Sequence, residues 1–122
     1  MKDGKLLLVR RRRDPEAGCW GLPGGKVDPF EPIADATARE IREELGIVIR
    51  PTELLCVVDQ IDRMKGHHWI APVFQIKHYE GTPAIMEPDA LLDLGWFEVD
   101  ALPAPLTQAT TQAVAAMTRP AA

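Results

Sequence analysis

The sequence is poor in residues that cross-link a chain or anchor it in a membrane. Its 122 residues include two cysteines, Cys19 and Cys56, too few for a disulfide framework or a cysteine-rich zinc site. No apolar run approaches the roughly 18 residues that a membrane-spanning helix needs. We interpret both cysteines as small structural residues and expect a reduced, cytoplasmic chain without a membrane partner.

The sequence also lacks an excess of positive charge. The chain has 14 basic and 18 acidic residues and a formal net charge of −4. Because proteins that hold nucleic acid neutralise its phosphates with Lys and Arg, nucleic acid is not the expected partner. Apolar residues make up 46% and charged residues 26%, which excludes general disorder. The length predicts one domain over residues 1–122.

Glycine and proline divide the chain into alternating strands and helices. The predicted strands are Leu6–Arg12, Leu54–Ile61, Trp69–Lys77 and Leu94–Val99. The predicted helices are Pro32–Leu45, which Gly46 ends, and Thr107–Met117, with Thr107 as its N-cap. This order favours an α/β or α+β domain with a mixed sheet and helices on its faces. The tail from Thr118 is expected to fray.

The first predicted helix carries three acids on one face. At about 100° per residue, Glu43 lies about 60° to one side of Glu40 and Glu44 about 40° to the other. Acids at this spacing repel one another, and the end of a helix disfavours anions. The arrangement therefore predicts a bound cation, with a solvated charged face as the alternative. A hard cation such as Mg²⁺ prefers oxygen ligands of this kind.

A glycine-rich loop precedes that helix. The run Leu22-Pro23-Gly24-Gly25 lets the backbone approach a ligand closely, since glycine has no side chain. The Gly24 carbonyl is a candidate oxygen ligand for the cation, and Gly25 a candidate substrate contact. Most such loops are only turns, so this feature does not identify a site by itself.

Residues 25–47 read GKVDPFEPIADATAREIREELGI. This segment resembles the Nudix box, G-x5-E-x7-R-E-U-x-E-E-x-G-U with U an aliphatic residue, and it matches every defined position. The matching residues are Gly25, Glu31, Arg39, Glu40, Ile41, Glu43, Glu44, Gly46 and Ile47. The Leu-Pro-Gly-Gly run and the Trp96-Phe97 strand are similar to the same family, so the resemblance covers nearly the whole chain.

Membership of the Nudix family would imply an α/β/α sandwich around a central mixed sheet. It would also imply a Mg²⁺- or Mn²⁺-dependent hydrolase acting on a nucleoside diphosphate linked to another group. By position in the box, Glu40, Glu43 and Glu44 would hold the metal or activate water. The Gly24 carbonyl would be a further metal ligand.

The resemblance assigns roles outside the acid face as well. Arg39 would pair with Glu31 or a helix acid and orient it, and Glu31 would be a supporting structural acid. Glu87 matches a position that supplies a further ligand or base, with a plain surface acid as the alternative. In the basic run after the first strand, Arg11 and Arg10 are candidate phosphate ligands. For both arginines the alternative is a solvated charge at a strand end.

The substrate is predicted only by class. Family members that cut ADP-ribose or dinucleoside polyphosphates carry a Pro or a Tyr at set positions beyond the box, where this chain has Arg63 and Lys65. This difference favours a mutator-type enzyme that cuts a nucleoside triphosphate to the monophosphate and pyrophosphate. The alternatives are hydrolysis of ADP-ribose or a nucleotide sugar, and a module that senses a nucleotide without cutting it.

The resemblance also predicts a strand that this chain does not contain. Family members usually have a further strand before the one that begins here at Leu6. An open sheet edge at that place would be an association hazard. We therefore expect either a homodimer, in which a second chain bridges the region, or a longer native protein that is more stable and self-associates less.

Overall fold

The computed structural model describes residues 4–25 and 27–118. Its strands are β1 (Lys5–Arg11), β2 (Trp20–Gly21), β3 (Leu54–Asp62), β4 (His67–Phe74) and β5 (Leu91–Glu98). Its helices are α1 (Ile33–Leu45) and α2 (Gln108–Thr118). Every predicted element is present within a few residues. The two-residue strand β2 was missed, since so short a strand has no periodicity. The tail beyond residue 118 lies outside the described residues.

The strands divide between two sheets. β1 lies at the centre of a three-stranded sheet in the order β2-β1-β5, and both of its pairings are antiparallel. β3 and β4 form a separate antiparallel pair. Among the described residues, parallel pairing is limited to one bridge between Trp20 and Leu106. The expected α/β class is confirmed, and the structure refines the expected central sheet, because no ladder joins β1 to β3 or β4 within the described residues.

The main core lies between α1 and the β1–β5 sheet. Its buried members are Val9, Ile41, Leu45, Ile47, Ile49 and Leu91. On β1, Leu6 and Leu8 alternate with Val9 and are also buried, so this strand is covered on both faces. A strand covered in this way needs a continuous apolar run, which explains the Leu-Leu-Leu-Val sequence. This packing fixes α1 against the sheet and so fixes the direction in which its acids point.

The end of α1 and the start of α2 are where the sequence predicts them. Gly46 adopts a left-handed conformation with φ 71°, and its N–H donates to the carbonyl of Arg42. The Thr107 hydroxyl accepts a hydrogen bond from the Thr110 N–H at 3.3 Å, which makes Thr107 the N-cap of α2. The Glu16 carboxylate accepts from the Gln108 N–H at 2.8 Å and satisfies a second free amide. In the described part of the chain, no helix has the length and apolarity to cross a membrane.

Candidate active site

The acids of α1 differ in how much water they see. The side chain of Glu43 is 47% exposed and that of Glu40 is 17% exposed. Glu44 is buried, with only 9% of the residue exposed. Ile41 and Leu45 turn toward the core from the adjoining face of the helix. The acid face is therefore graded from solvent at Glu43 to the protein interior at Glu44.

Arg39 links this face to the loop before the helix. Its Nε and Nη2 atoms donate to the two carboxylate oxygens of Glu31 at 2.8 and 3.0 Å. Its Nη1 donates to Glu40 at 3.0 Å and to Glu43 at 3.1 Å, and Asp28 lies 3.5 Å away. The predicted pairing of Arg39 is confirmed. The hydrogen bonds from this guanidinium hold the pKa of Glu31 below its usual range.

The glycine-rich loop lies directly against the two most buried acids. The Gly24 N–H donates to the Glu44 carboxylate at 3.0 Å, and Gly24 has a φ of 151°, which side-chain-bearing residues rarely adopt. A Cβ at Gly25 would collide with the Glu40 carboxylate. Glycine is therefore favoured at position 24 by the backbone conformation, and a side chain at position 25 would displace the Glu40 carboxylate.

Burial changes the acidity of Glu44. Removal from water, together with the nearby negative charges of Glu40 and Glu87, raises its pKa to about 7. The Gly24 N–H and the positive charge of Arg11 oppose this shift. Burial likewise raises the pKa of Glu40. A carboxyl group in this position is stabilised by taking up either a proton or a cation.

The chemistry of the donors fits a hard divalent cation. Three carboxylates of one helix face and the backbone at Gly24 offer only oxygen ligands, as Mg²⁺ and Mn²⁺ prefer. Among the described residues, no group of three or more His, Cys, Asp or Glu side chains converges in metal-binding geometry. Glu40 and Glu43 bond to Arg39, and Glu44 bonds to an amide. A carboxylate has two oxygens, so each acid can keep its present hydrogen bond and offer its other oxygen to a cation.

The remaining predicted residues differ in whether the structure brings them to the acid face. Arg11 and Glu87 are close enough for their charges to act on Glu44. The Nε atoms of Arg10 and Arg11 donate to the carbonyls of Gly18 and Pro15, at 3.0 and 2.8 Å. Both arginines therefore hold the loop after β1, and the charge of Arg11 also acts on Glu44.

Two contributions escaped the sequence analysis. Asp28 adds a further carboxylate beside Arg39. Arg12 and Arg13, in the second half of the basic run, bond through Nε to backbone carbonyls at residues 88 and 89, next to Glu87. The length of the basic run was a signal for the second contribution, but the sequence does not show which loop those arginines reach.

Known proteins resemble this chain in sequence. The family model of the NUDIX domain matches residues 1–117. An ADP-ribose pyrophosphatase from Methanocaldococcus jannaschii is 35% identical over 102 residues, which make up 84% of this chain and 59% of that protein. The 8-oxo-dGDP phosphatase NUDT18 of Mus musculus is 32% identical over 104 residues, 84% of this chain and 31% of that protein. The chain thus spans between 31% and 59% of the length of these two relatives.

Solved structures resemble it in fold. The crystal structure of a MutT NUDIX hydrolase from Burkholderia pseudomallei matches with a TM-score of 0.94 and 54% identity, covering 97% of this chain and 92% of that one. The NUDIX domain of Shewanella oneidensis NrtR, solved with ADP ribose, matches with a TM-score of 0.73 and 25% identity, covering 93% and 75%. Both likenesses extend over more than nine tenths of this chain.

Proposed function

Since this chain belongs to the NUDIX domain family, we propose that it is a divalent-metal-dependent hydrolase that cuts a pyrophosphate bond of a nucleotide. One observation carries the proposal: Glu44 is buried, its pKa is raised to about 7, and its carboxylate accepts from the Gly24 N–H while the charges of Glu40 and Glu87 act on it. A buried carboxylate in that position is stabilised by a positive charge beside it. Phosphate-bound Mg²⁺ or Mn²⁺ has the charge and the ligand preference to supply it.

The chain's own residues divide the work of hydrolysis. Glu40, Glu43 and Glu44, with the Gly24 carbonyl and Glu87, would hold Mg²⁺ or Mn²⁺, which when bound neutralises phosphate charge and acidifies water. A carboxylate of this set accepts the proton of the attacking water. Positioning and electrostatics dominate phosphoryl transfer.

Further residues support the acids and the substrate. Arg39 and Glu31 keep the acid face in place through their paired hydrogen bonds. Arg11, Arg10 and the backbone at Gly25 would contact the substrate. Arg11 is favoured for the phosphate because its charge already acts on the acid face.

For the substrate we propose a nucleoside triphosphate that is cut to the monophosphate and pyrophosphate. The support is the absence, at Arg63 and Lys65, of the residues that accompany other substrates in the family. The second candidate is ADP-ribose, and the relative from Methanocaldococcus jannaschii favours it by the name it carries. It remains a prediction that the chain is a single domain, that it is cytoplasmic and that it forms a homodimer.

A substrate panel tests this proposal. Nucleoside triphosphates, ADP-ribose and nucleotide sugars are incubated with the protein and Mg²⁺, and the products are resolved by phosphorus NMR. We expect pyrophosphate and a monophosphate from at least one triphosphate. Nucleotide binding without product formation, in Mg²⁺ and in Mn²⁺, would support the sensing module instead.

A matched pair of variants links activity to the acid face. Glu44→Gln removes one charge from the proposed metal site and should lower kcat by orders of magnitude and weaken the response to Mg²⁺. Glu53→Gln removes the same charge from an exposed position outside the site and should behave like the wild type. Equal activity and Mg²⁺ affinity in the two variants would exclude Glu44 as a ligand.

A further inference from the structure

The loop that carries Glu87 is attached to the acidic helix itself. The Met86 N–H donates to the carbonyl of Glu44 at 2.9 Å, and the Ala84 N–H donates to the carbonyl of Leu45 at 3.1 Å. Carbonyls in the last turn of a helix have no partner within the helix, so the loop satisfies two of them. One end of the loop is thereby fixed beside Glu44, one residue before Glu87.

Two arginines hold the same loop from the other side. Arg12 Nε donates to the carbonyl of Pro88 at 3.0 Å, and Arg13 Nε donates to the carbonyl of Asp89 at 3.2 Å. The backbone adds a third bond at 2.9 Å, from the Arg12 N–H to the Ala90 carbonyl. The loop is therefore held at residues 84 and 86 by α1 and at residues 88 to 90 by the end of β1.

Glu87 lies between these two attachments, which oppose the repulsion between its charge and the acid face. Its side chain is exposed, and its charge acts on Glu40 and Glu44, which carry the same sign. Like charges repel, so a loop without attachments would relax away from the acid face. Its own backbone adds one restraint, since the Glu87 carbonyl accepts from the Ala90 and Leu91 N–H groups.

From this arrangement we propose that Arg12 and Arg13 are positioning residues, which hold Glu87 against the acid face through the carbonyls of Pro88 and Asp89. The inference rests on the proposed role of Glu87 as a ligand or base. The two halves of the basic run then have different roles, because Arg10 and Arg11 hold the loop at residues 15 to 18. Arg12 and Arg13 act through the loop that carries Glu87 and contact no reacting atom.

A double-mutant cycle tests whether Arg12 acts through Glu87. Arg12→Met keeps the apolar stem but removes the Nε donor, and Arg12→Lys keeps the charge without that donor. We expect each to lower kcat about 10-fold, the range for residues that orient a ligand. In a Glu87→Gln background the same changes should have no further effect, because coupled residues are not additive. Arg50→Met, at an exposed position away from the site, is the control and should match the wild type.

Hydrogen exchange and metal binding give readouts that do not need turnover. In the metal-free protein, Arg12→Met and Arg13→Met should each speed exchange of the Ala90 and Leu91 amides about 10-fold, while the amides of α1 are unchanged. Both variants should also weaken Mn²⁺ binding, followed by electron paramagnetic resonance, about 10-fold.

Each result supports or overturns the inference. Equal losses from Arg12→Met in both backgrounds would show that Arg12 acts independently of Glu87. Unchanged exchange at Ala90 and Leu91 would show that the bonds do not hold the loop. Wild-type activity in Glu87→Gln would overturn the role of Glu87 and this inference with it, while leaving the hydrolase proposal intact. Failure of the hydrolase proposal would instead appear as a wild type that cuts no nucleotide, and exchange and Mn²⁺ binding would then decide.

Discussion

Phe30 has a backbone conformation that L-amino acids avoid. Its φ is 65°, and its side chain is fully exposed. The Glu31 N–H donates to the Asp28 carbonyl across the pair Pro29-Phe30, a turn in which the third position requires a positive φ and favours glycine. The left-handed conformation costs about 1–2 kcal/mol for a residue with a Cβ. Because the exposed ring recovers none of this by burial, the strain at Phe30 has no visible compensation in the fold.

Replacing Phe30 by glycine should therefore stabilise the protein. Relief of the strain exceeds the roughly 0.5–1 kcal/mol that glycine costs through the entropy of the unfolded chain, so Phe30→Gly should raise the free energy of unfolding by up to about 1 kcal/mol. Urea denaturation measures the difference. Thr52→Gly, in another loop at an exposed residue without positive φ, should instead lower stability. A loss of stability in both variants would refute the strain argument.

Glu44 should make the metal-free protein less stable as pH rises. Its pKa is about 7 in the folded protein and about 4.5 when unfolded, so between these values the folded state binds more protons. The stabilisation that Glu44 contributes by binding a proton is thus fully present below about pH 4.5. It is lost as the pH rises through 7, which lowers the free energy of unfolding by about 3 kcal/mol. Urea denaturation in chelator at pH 5 and pH 8 should show this loss in the wild type and in Glu53→Gln. A similar loss in Glu44→Gln would assign the effect to another group.

At the scale of elements, α2 closes the outer edge of β3 with two glutamine side chains. The Asp59 and Ile61 N–H groups each donate to a side-chain oxygen, that of Gln112 and that of Gln108, both at 3.0 Å. The two amide nitrogens donate back to the carbonyls of the same residues. Four residues of a helix rise about 6 Å, nearly the span of two residues in a strand. Glutamines one helical turn apart therefore pair with an edge strand as a neighbouring strand would.

Removing both glutamines should expose that edge. The double variant Gln108→Ala/Gln112→Ala keeps a good helix former at each position, so the loss is confined to the edge contacts. We expect unfolding free energy to fall by about 2 kcal/mol, about 1 for each glutamine, and light scattering to show more self-association. Thr111→Ala changes α2 at a hydroxyl that bonds within the helix and serves as the control. A double variant as monodisperse as Thr111→Ala would mean that the edge is protected by other means.

At the scale of the whole molecule, the two sheets are buried to different degrees. β1 carries the buried Leu6, Leu8 and Val9. On the β3–β4 pair, Val58 is buried, while Val57 and Ile70 are 58% and 69% exposed. Since local stability follows buried apolar contact, the two sheets should differ in their resistance to opening.

Native-state hydrogen exchange should therefore resolve two units. We expect ladder amides of β3 and β4 to exchange at least about 10-fold faster than those of β1 and β5, with α2 exchanging alongside β3 because of its glutamine bonds. Exchange followed by NMR at low denaturant measures the order of opening. Identical opening free energies in the two sheets would show a single cooperative unit.

The sequence alone was sufficient for the local features. Gly46 and Thr107 mark helix ends because capping depends on neighbouring backbone atoms. The common face of Glu40, Glu43 and Glu44 follows from helical spacing, and the resemblance in residues 25–47 pointed to the family. The prediction that Arg39 pairs with Glu31 or a helix acid is also confirmed.

The tertiary structure decided what depends on distant segments meeting. The burial of Glu44, and with it a pKa near 7, exists only once the loop at Gly24 packs on the helix. The attachment of Arg12 and Arg13 to the loop beyond Glu87 joins residues 76 positions apart. The division of strands between two sheets is likewise a matter of long-range pairing. Helical spacing repeats within a turn and is readable from the chain, whereas long-range contacts are selected by the packing of the whole core.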